Sequence, residues 1–184
     1  MLLKTVGPGE SSGEMEEIYQ AFIDTVGMVS PPFLMLSVSP GIQALQAKTI
    51  NYYTEYSNLS PLLMALIRYL TAVALEMGPC VEFNARALTA HGLTEEQVAD
   101  LKMNPAAAPL DEKNGWLLAF VIKAVRAPET VSESHINKLK DLGWTDADIF
   151  DALYISCMMI GMGTMMKALK FEEPLEGANW RRSD

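Results

Sequence analysis

Cysteine and histidine are scarce in this chain: 184 residues hold only Cys80 and Cys157, His91 and His135. Two cysteines cannot build the bridged framework of a small secreted domain, so the expected compartment is the reducing cytoplasm. The histidines stand far apart and no Cys/His cluster has zinc-ligand spacing, so no metal is expected. A Gly-rich phosphate loop and a GxSxG elbow are both missing, and no cofactor is expected. Positive charge is also short, with 14 Lys and Arg against 23 Asp and Glu, a formal net charge of -9. That balance, with only Arg181-Arg182 as a basic pair, argues against a nucleic-acid partner. Long apolar runs are absent as well. The most apolar stretch, Leu62 to Leu75, is interrupted by Arg68 and is too short to span a bilayer, so no membrane partner is expected. The segment Met1 to Pro8 has no long apolar core, which argues against a signal peptide.

What is present suits one compact domain spanning 1–184: 49% hydrophobic and 20% charged residues, enough chain to bury a core. Nearly every segment has helical periodicity, and no alternating β pattern competes. The fold class is therefore all-α, a bundle of about seven or eight helices. Met15, Ile18, Phe22 and Val26 mark a helix near 12–28, with Ser11 and Glu14 as a capping box. Ser30-Pro31-Pro32 breaks it. Ser39-Pro40 and Ser60-Pro61 each pair an N-cap serine with proline at the first helical position. The helix from Pro61 to about Met77 is apolar almost all round, as in the middle of a bundle or at a subunit interface. Further helices are expected from Pro79 to about Ala90, from Thr94, and over 111–126, 132–142 and 145–168. A polar tail, 171–184, follows.

Gly92-Leu93-Thr94-Glu95-Glu96-Gln97-Val98 is matched by Gly143-Trp144-Thr145-Asp146-Ala147-Asp148-Ile149. Each is a glycine C-cap, a threonine N-cap and an acidic first turn. The pattern is that of two related helical-hairpin halves, or of two ordinary αα-hairpins.

The segment Met77-Gly78-Pro79-Cys80-Val81-Glu82-Phe83-Asn84 carries the candidate chemistry. Pro79 marks a helix start, so Cys80 falls in the first turn, beside the positive end of the helix dipole. A thiolate is stabilised there. Asn84 lies four residues on, over the same face, within reach of the sulfur. Glu76 could accept a proton, while Arg68 or Arg86 could lower the thiol pKa or anchor an anion. The alternative is a buried cysteine that only fills space. Cys157-Met158-Met159-Ile160-Gly161-Met162-Gly163-Thr164-Met165-Met166 is read as adaptable core or interface, or as the wall of an apolar pocket. Tyr52, Tyr53, Tyr56 and Tyr69 either line such a pocket or cover the apolar helix.

The order of these pieces resembles the alkylhydroperoxidase D and carboxymuconolactone decarboxylase superfamily, and within it the peroxidase-related branch. Its signs are Ser30-Pro31-Pro32, Leu59-Ser60-Pro61, the Cys80 helix, the Gly92 to Val98 turn and the hairpin from Val131-Ser132-Glu133 to Asp146, over about 15–168. The resemblance implies an all-helical trimer or hexamer with the apolar helices at its interface. Peroxidase members of that family use a CxxCxxxH motif and a glutamate on the preceding helix. Carried over, Cys80 is the attacking cysteine, Met77 replaces its partner thiol, Asn84 replaces the histidine, and the glutamate falls at about Ala65. A peroxide cycle through an internal cysteine pair is therefore closed to this chain.

The resemblance and the thiol together lead to thiol-dependent peroxidase or antioxidant chemistry at Cys80, with Asn84 as its partner and an external thiol as reductant. Two alternatives stand beside it. One is a carboxymuconolactone decarboxylase-like lyase on a small lactone or carboxylate. The other is a non-catalytic oligomer that binds a small apolar ligand.

Overall fold

A computed structural model describes residues 2–26 and 29–171. Nine α-helices and no strand occur among them: α1 (Glu14–Val26), α2 (Pro31–Met35), α3 (Pro40–Glu55), α4 (Pro61–Ala74), α5 (Gly78–Ala90), α6 (Glu95–Met103), α7 (Glu112–Arg126), α8 (Glu133–Asp141) and α9 (Asp146–Ala168). The fold is all-α, as the periodicity requires. The helix beyond the expected eight is α2. Pro31 and Pro32 open this short helix, because proline at the first helical position lacks only an N–H that would be unpaired anyway. Of the expected polar tail, 171–184, only Phe171 is described, and it is buried; the rest lies outside the described residues.

The described residues divide into two compact units, those up to 56 together with 162–171, and residues 57–161. In the first, α1 packs on α3. The Tyr19 hydroxyl donates to the Val6 carbonyl at 2.8 Å, and the Val6 amide donates to the Ser37 hydroxyl at 2.9 Å. Phe33 stacks on Phe22 with ring centroids 4.3 Å apart. The expected Ser11–Glu14 box is replaced. Ser11 and the Gly9 amide both donate to Glu16, whose longer reach back across the turn gathers two donors.

In the second unit α4 is central and packs against α5 and α7. Leu63, Ala65, Leu66, Ile67, Tyr69 and Ala72 are wholly buried, which is why that helix has almost no polar face. Each buried leucine or isoleucine contributes roughly 1.5–3 kcal/mol. Two polar contacts set the neighbours of α4: the Tyr69 hydroxyl donates to the Val98 carbonyl on α6 at 2.8 Å, and Thr71 meets Ser156 on α9 at 2.9 Å.

The two hairpins belong to a longer repeat. Ser60 and Asp111, Gly92 and Gly143, and Thr94 and Thr145 all stand 51 residues apart. Ser60 and Asp111 each accept the amide three residues on, opening α4 and α7. Gly92 and Gly143 both lie in the left-handed region, φ 92° and 84°, where glycine has no Cβ penalty. The next residue's amide reaches back to Leu88 in one case and Leu139 in the other. Thr94 pairs with Gln97, and Thr145 with Asp148, in reciprocal caps. The order α4–α5–α6 is thus repeated as α7–α8–α9.

Helix α9 has 23 residues and is long and apolar enough, by length and composition alone, to cross a membrane; a third of its apolar window is buried. The run Leu62 to Leu75 is therefore not the longest apolar element. Along α9, Phe150 (67% exposed), Tyr154 (44%) and Ile160 (37%) stand in solvent, as does Cys157.

Candidate functional site

The turn joining α4 to α5 runs through Glu76, whose backbone is left-handed at φ 52°. The Met77 amide closes the turn by donating to the Ala72 carbonyl at 2.9 Å. This is the geometry of Gly92 and Gly143, with glutamate where glycine is favoured, and it holds about 1–2 kcal/mol of strain. Met77 is the N-cap of α5 and supplies no side-chain oxygen; the first turn carries no acidic residue. The positive end of the dipole at Cys80 is thus not offset by a capping carboxylate or hydroxyl. Cys80 is half-buried, and neither cysteine is in a disulfide.

Asn84 is 3% exposed, which places it inside the fold on the helix face of Cys80. Its side-chain amide donates to the Cys80 carbonyl at 2.8 Å. The contact differs from the expected one to sulfur. Helical side chains lean towards the N-terminus, and a short amide at i+4 meets the backbone carbonyl first. Ala65, where the resemblance places a glutamate, is wholly buried.

The auxiliary candidates do not gather at one place. Glu76 is exposed on its strained turn. Arg86 lines an open groove between α5 and α6 with Glu82, Thr89 and Lys102. Six residues from Cys80 at 3.6 per turn, it points about 120° away from the thiol. Arg68, on α4, is half-buried and makes no ion pair or hydrogen bond with any described residue. Desolvation by burial pulls its pKa below the ordinary arginine value. Cys157 follows Ser156, which faces Thr71, and is itself turned to solvent. Of the four tyrosines, Tyr53 and Tyr69 are buried, while Tyr52 and Tyr56 stack on the surface with centroids 6.5 Å apart. In the Met-rich stretch Met166 is buried and Met165 is 41% exposed.

A second cluster lies in the other half of the repeat, among residues that no local motif marks. Trp116, Ala119, Phe120, Lys123, His135 and Leu139 line a groove between α7 and α8. The 51-residue register would have found it, since His135 occupies the position of Asn84 and Trp116 that of Ala65.

This helical order defines a fold class. The chain has the all-α fold of the alkylhydroperoxidase D-like proteins. Among solved structures, one described as the alkylhydroperoxidase AhpD core, an uncharacterized peroxidase-related protein from Ralstonia eutropha JMP134, matches with TM-score 0.78 and 19% identity over 95% of this chain and 93% of that one. An uncharacterized peroxidase-related protein from Silicibacter sp. TM1040 matches with TM-score 0.75 and 20% identity, covering 91% and 88%. The debrominase Bmp8, a cysteine-to-alanine variant in complex with 2,3,4-tribromopyrrole, matches with TM-score 0.75 and 12% identity, covering 97% and 94%. No protein-family model and no curated protein matches the sequence.

Proposed function

We propose that the protein is a thiol-dependent peroxidase whose nucleophile is Cys80 and whose reductant is an external thiol. The observation that carries this reading is the position of Cys80. It is a half-buried thiol outside any disulfide, in the first turn of a helix with no side-chain cap, in a fold shared with peroxidase-related proteins. The helix end favours the thiolate. The thiolate attacks one peroxide oxygen, the O–O bond breaks, and the leaving alkoxide takes up a proton to become the alcohol. Cys80 becomes a sulfenic acid. An external thiol then attacks its sulfur and releases water as a mixed disulfide forms, and a second thiol frees Cys80 as an external disulfide. Asn84 holds the first turn of α5 in place through the Cys80 carbonyl and acts as a positioning residue. The cytoplasm suits such a cycle, since it maintains free thiols.

The test is the pH dependence of Cys80 alkylation by iodoacetamide in a Cys157→Ser background, with peroxide consumption followed alongside. A pKa well below the free value of about 8.5, with sulfenic acid after peroxide addition, is the expected result. A sluggish thiol with an ordinary or raised pKa would sink the proposal, leaving the non-catalytic ligand-binding reading.

Arg68 favours a second reading, the lyase acting on a small carboxylate or lactone. A desolvated guanidinium without an acidic partner among the described residues is a ready anchor for an anion. The two readings part cleanly: Cys80→Ser abolishes the peroxidase and spares the lyase, whereas Arg68→Met abolishes the lyase. The protein is further proposed to be a homo-oligomer, trimer or hexamer, supported by the exposed, stacked pair Phe150 and Tyr154 on α9.

A further inference from the structure

In the second half of the repeat the counterparts of the Cys80 site form an open groove instead of a closed one. Ala65, Tyr69, Ala72, Asn84 and Leu88 are all buried. Their counterparts at 51 residues' distance, Trp116, Phe120, Lys123, His135 and Leu139, line a groove between α7 and α8 with a volume of about 160 Å³. The change of residue explains the difference. Alanine at 65 and 72 lets the first helix pair close, while Trp116 and Lys123 hold the second pair's surface open and put a cation on its rim.

We propose that this groove binds a small aromatic carboxylate. Its floor is apolar, from Trp116, Phe120 and Leu139, and its volume is close to the roughly 150 Å³ in which an apolar cavity accepts a single benzene ring. Its polar groups are donors. The Ser132 amide donates to His135 Nδ1 at 3.1 Å, so that nitrogen is the acceptor and the neutral ring carries its proton on Nε2. The Lys123 ammonium makes no ion pair or hydrogen bond with any described residue. Lys138 sits 5.2 Å from the centroid of the Trp116 ring and only 3.8 Å from Glu112, a long and exposed ion pair. The Lys123 ammonium and an imidazole N–H therefore border one aromatic-sized apolar slot, and the Lys138 ammonium lies over the ring of Trp116, one of its walls. An aromatic ring fills the slot, and its carboxylate lies against Lys123 and His135. This site is separate from Cys80 and independent of the thiol chemistry.

The test uses para-fluorobenzoate as probe, titrated into the full chain and followed by fluorine NMR, with uncharged para-fluorobenzyl alcohol as comparator. Saturable binding with Kd in about the millimolar range is expected for so small a ligand. Lys123→Met keeps the apolar stem, and it should weaken benzoate binding about fivefold or more while leaving the alcohol unchanged. Ala119→Leu fills the slot and should abolish both. Cys80→Ser should bind the probe like wild type. Binding that does not saturate, or is equal in Lys123→Met and wild type, overturns the proposal. So does binding lost with Cys80→Ser, which moves the probe to the thiol site.

Discussion

Asp148 shows how one buried side chain can hold several chain segments together. It is 5% exposed and accepts from the Thr145 amide at 2.9 Å, the Thr145 hydroxyl at 2.7 Å and the Asn58 amide at 3.0 Å. Burial pushes its pKa up, but the hydrogen bonds from Thr145 and Asn58 and the charge of Lys113 outweigh that, so the pKa lies below its ordinary value. A depressed carboxylate contributes stability above its unfolded pKa of about 3.9 and loses it as pH falls through the folded value. Urea midpoints measured from pH 7 to pH 2 should therefore drop in acid, and more gently in Asp148→Asn. That variant keeps one oxygen for the two Thr145 donors but turns an NH₂ against the Asn58 side-chain donor, and should cost about 1–2 kcal/mol at pH 7. Thr71 and Ser156 form a second buried pair, 0% and 1% exposed. Thr71→Val strands the Ser156 hydroxyl and should cost about 1–3 kcal/mol, much of it recovered in Thr71→Val/Ser156→Ala by denaturant titration.

At the scale of elements, the four left-handed turns that follow α4, α5, α8 and α9 are one device, each closed by an amide reaching five residues back. Gly92 and Gly143 adopt it freely, whereas Glu76 and Lys170 adopt it under strain, Glu76 directly before the Cys80 helix. Glu76→Gly should stabilise the protein by about 1 kcal/mol, and Gly92→Ala should destabilise it by a similar amount. Gly143→Ala should behave like Gly92→Ala, since an added Cβ meets only the Lys113 Nζ at an ordinary 3.7 Å. Thermal melts of the three variants check the set. A destabilised Glu76→Gly would mean that the glutamate makes a contact outweighing its backbone strain.

For the whole molecule, the exposed row on α9 bears on assembly. Phe150 and Tyr154 stack with centroids 6.2 Å apart and both face solvent, an arrangement suited to burial against another copy. Sedimentation velocity should show an oligomer, and Phe150→Glu/Tyr154→Glu should shift it to monomer with far-ultraviolet circular dichroism unchanged. A wild-type monomer would refute the homo-oligomer.

Composition and periodicity alone determined the helical class, because apolar residues at three- and four-residue spacing leave no β alternative. The starts at Ser60 and Thr94 and the stops at Gly92 and Gly143 were equally legible, since capping is decided by residues within one turn. The placement of Cys80 in a first turn was readable for the same reason. Which atoms meet across turns and helices was not. Asn84 takes the Cys80 carbonyl instead of its sulfur, Glu16 instead of Glu14 binds Ser11, and Arg86 faces a different groove from Cys80. The groove of Trp116, Lys123 and His135 exists only because α7 and α8 pack side by side, bringing together residues up to 23 positions apart. Local sequence sets backbone states within a turn, whereas burial and side-chain partners depend on helices that meet only after the chain has folded.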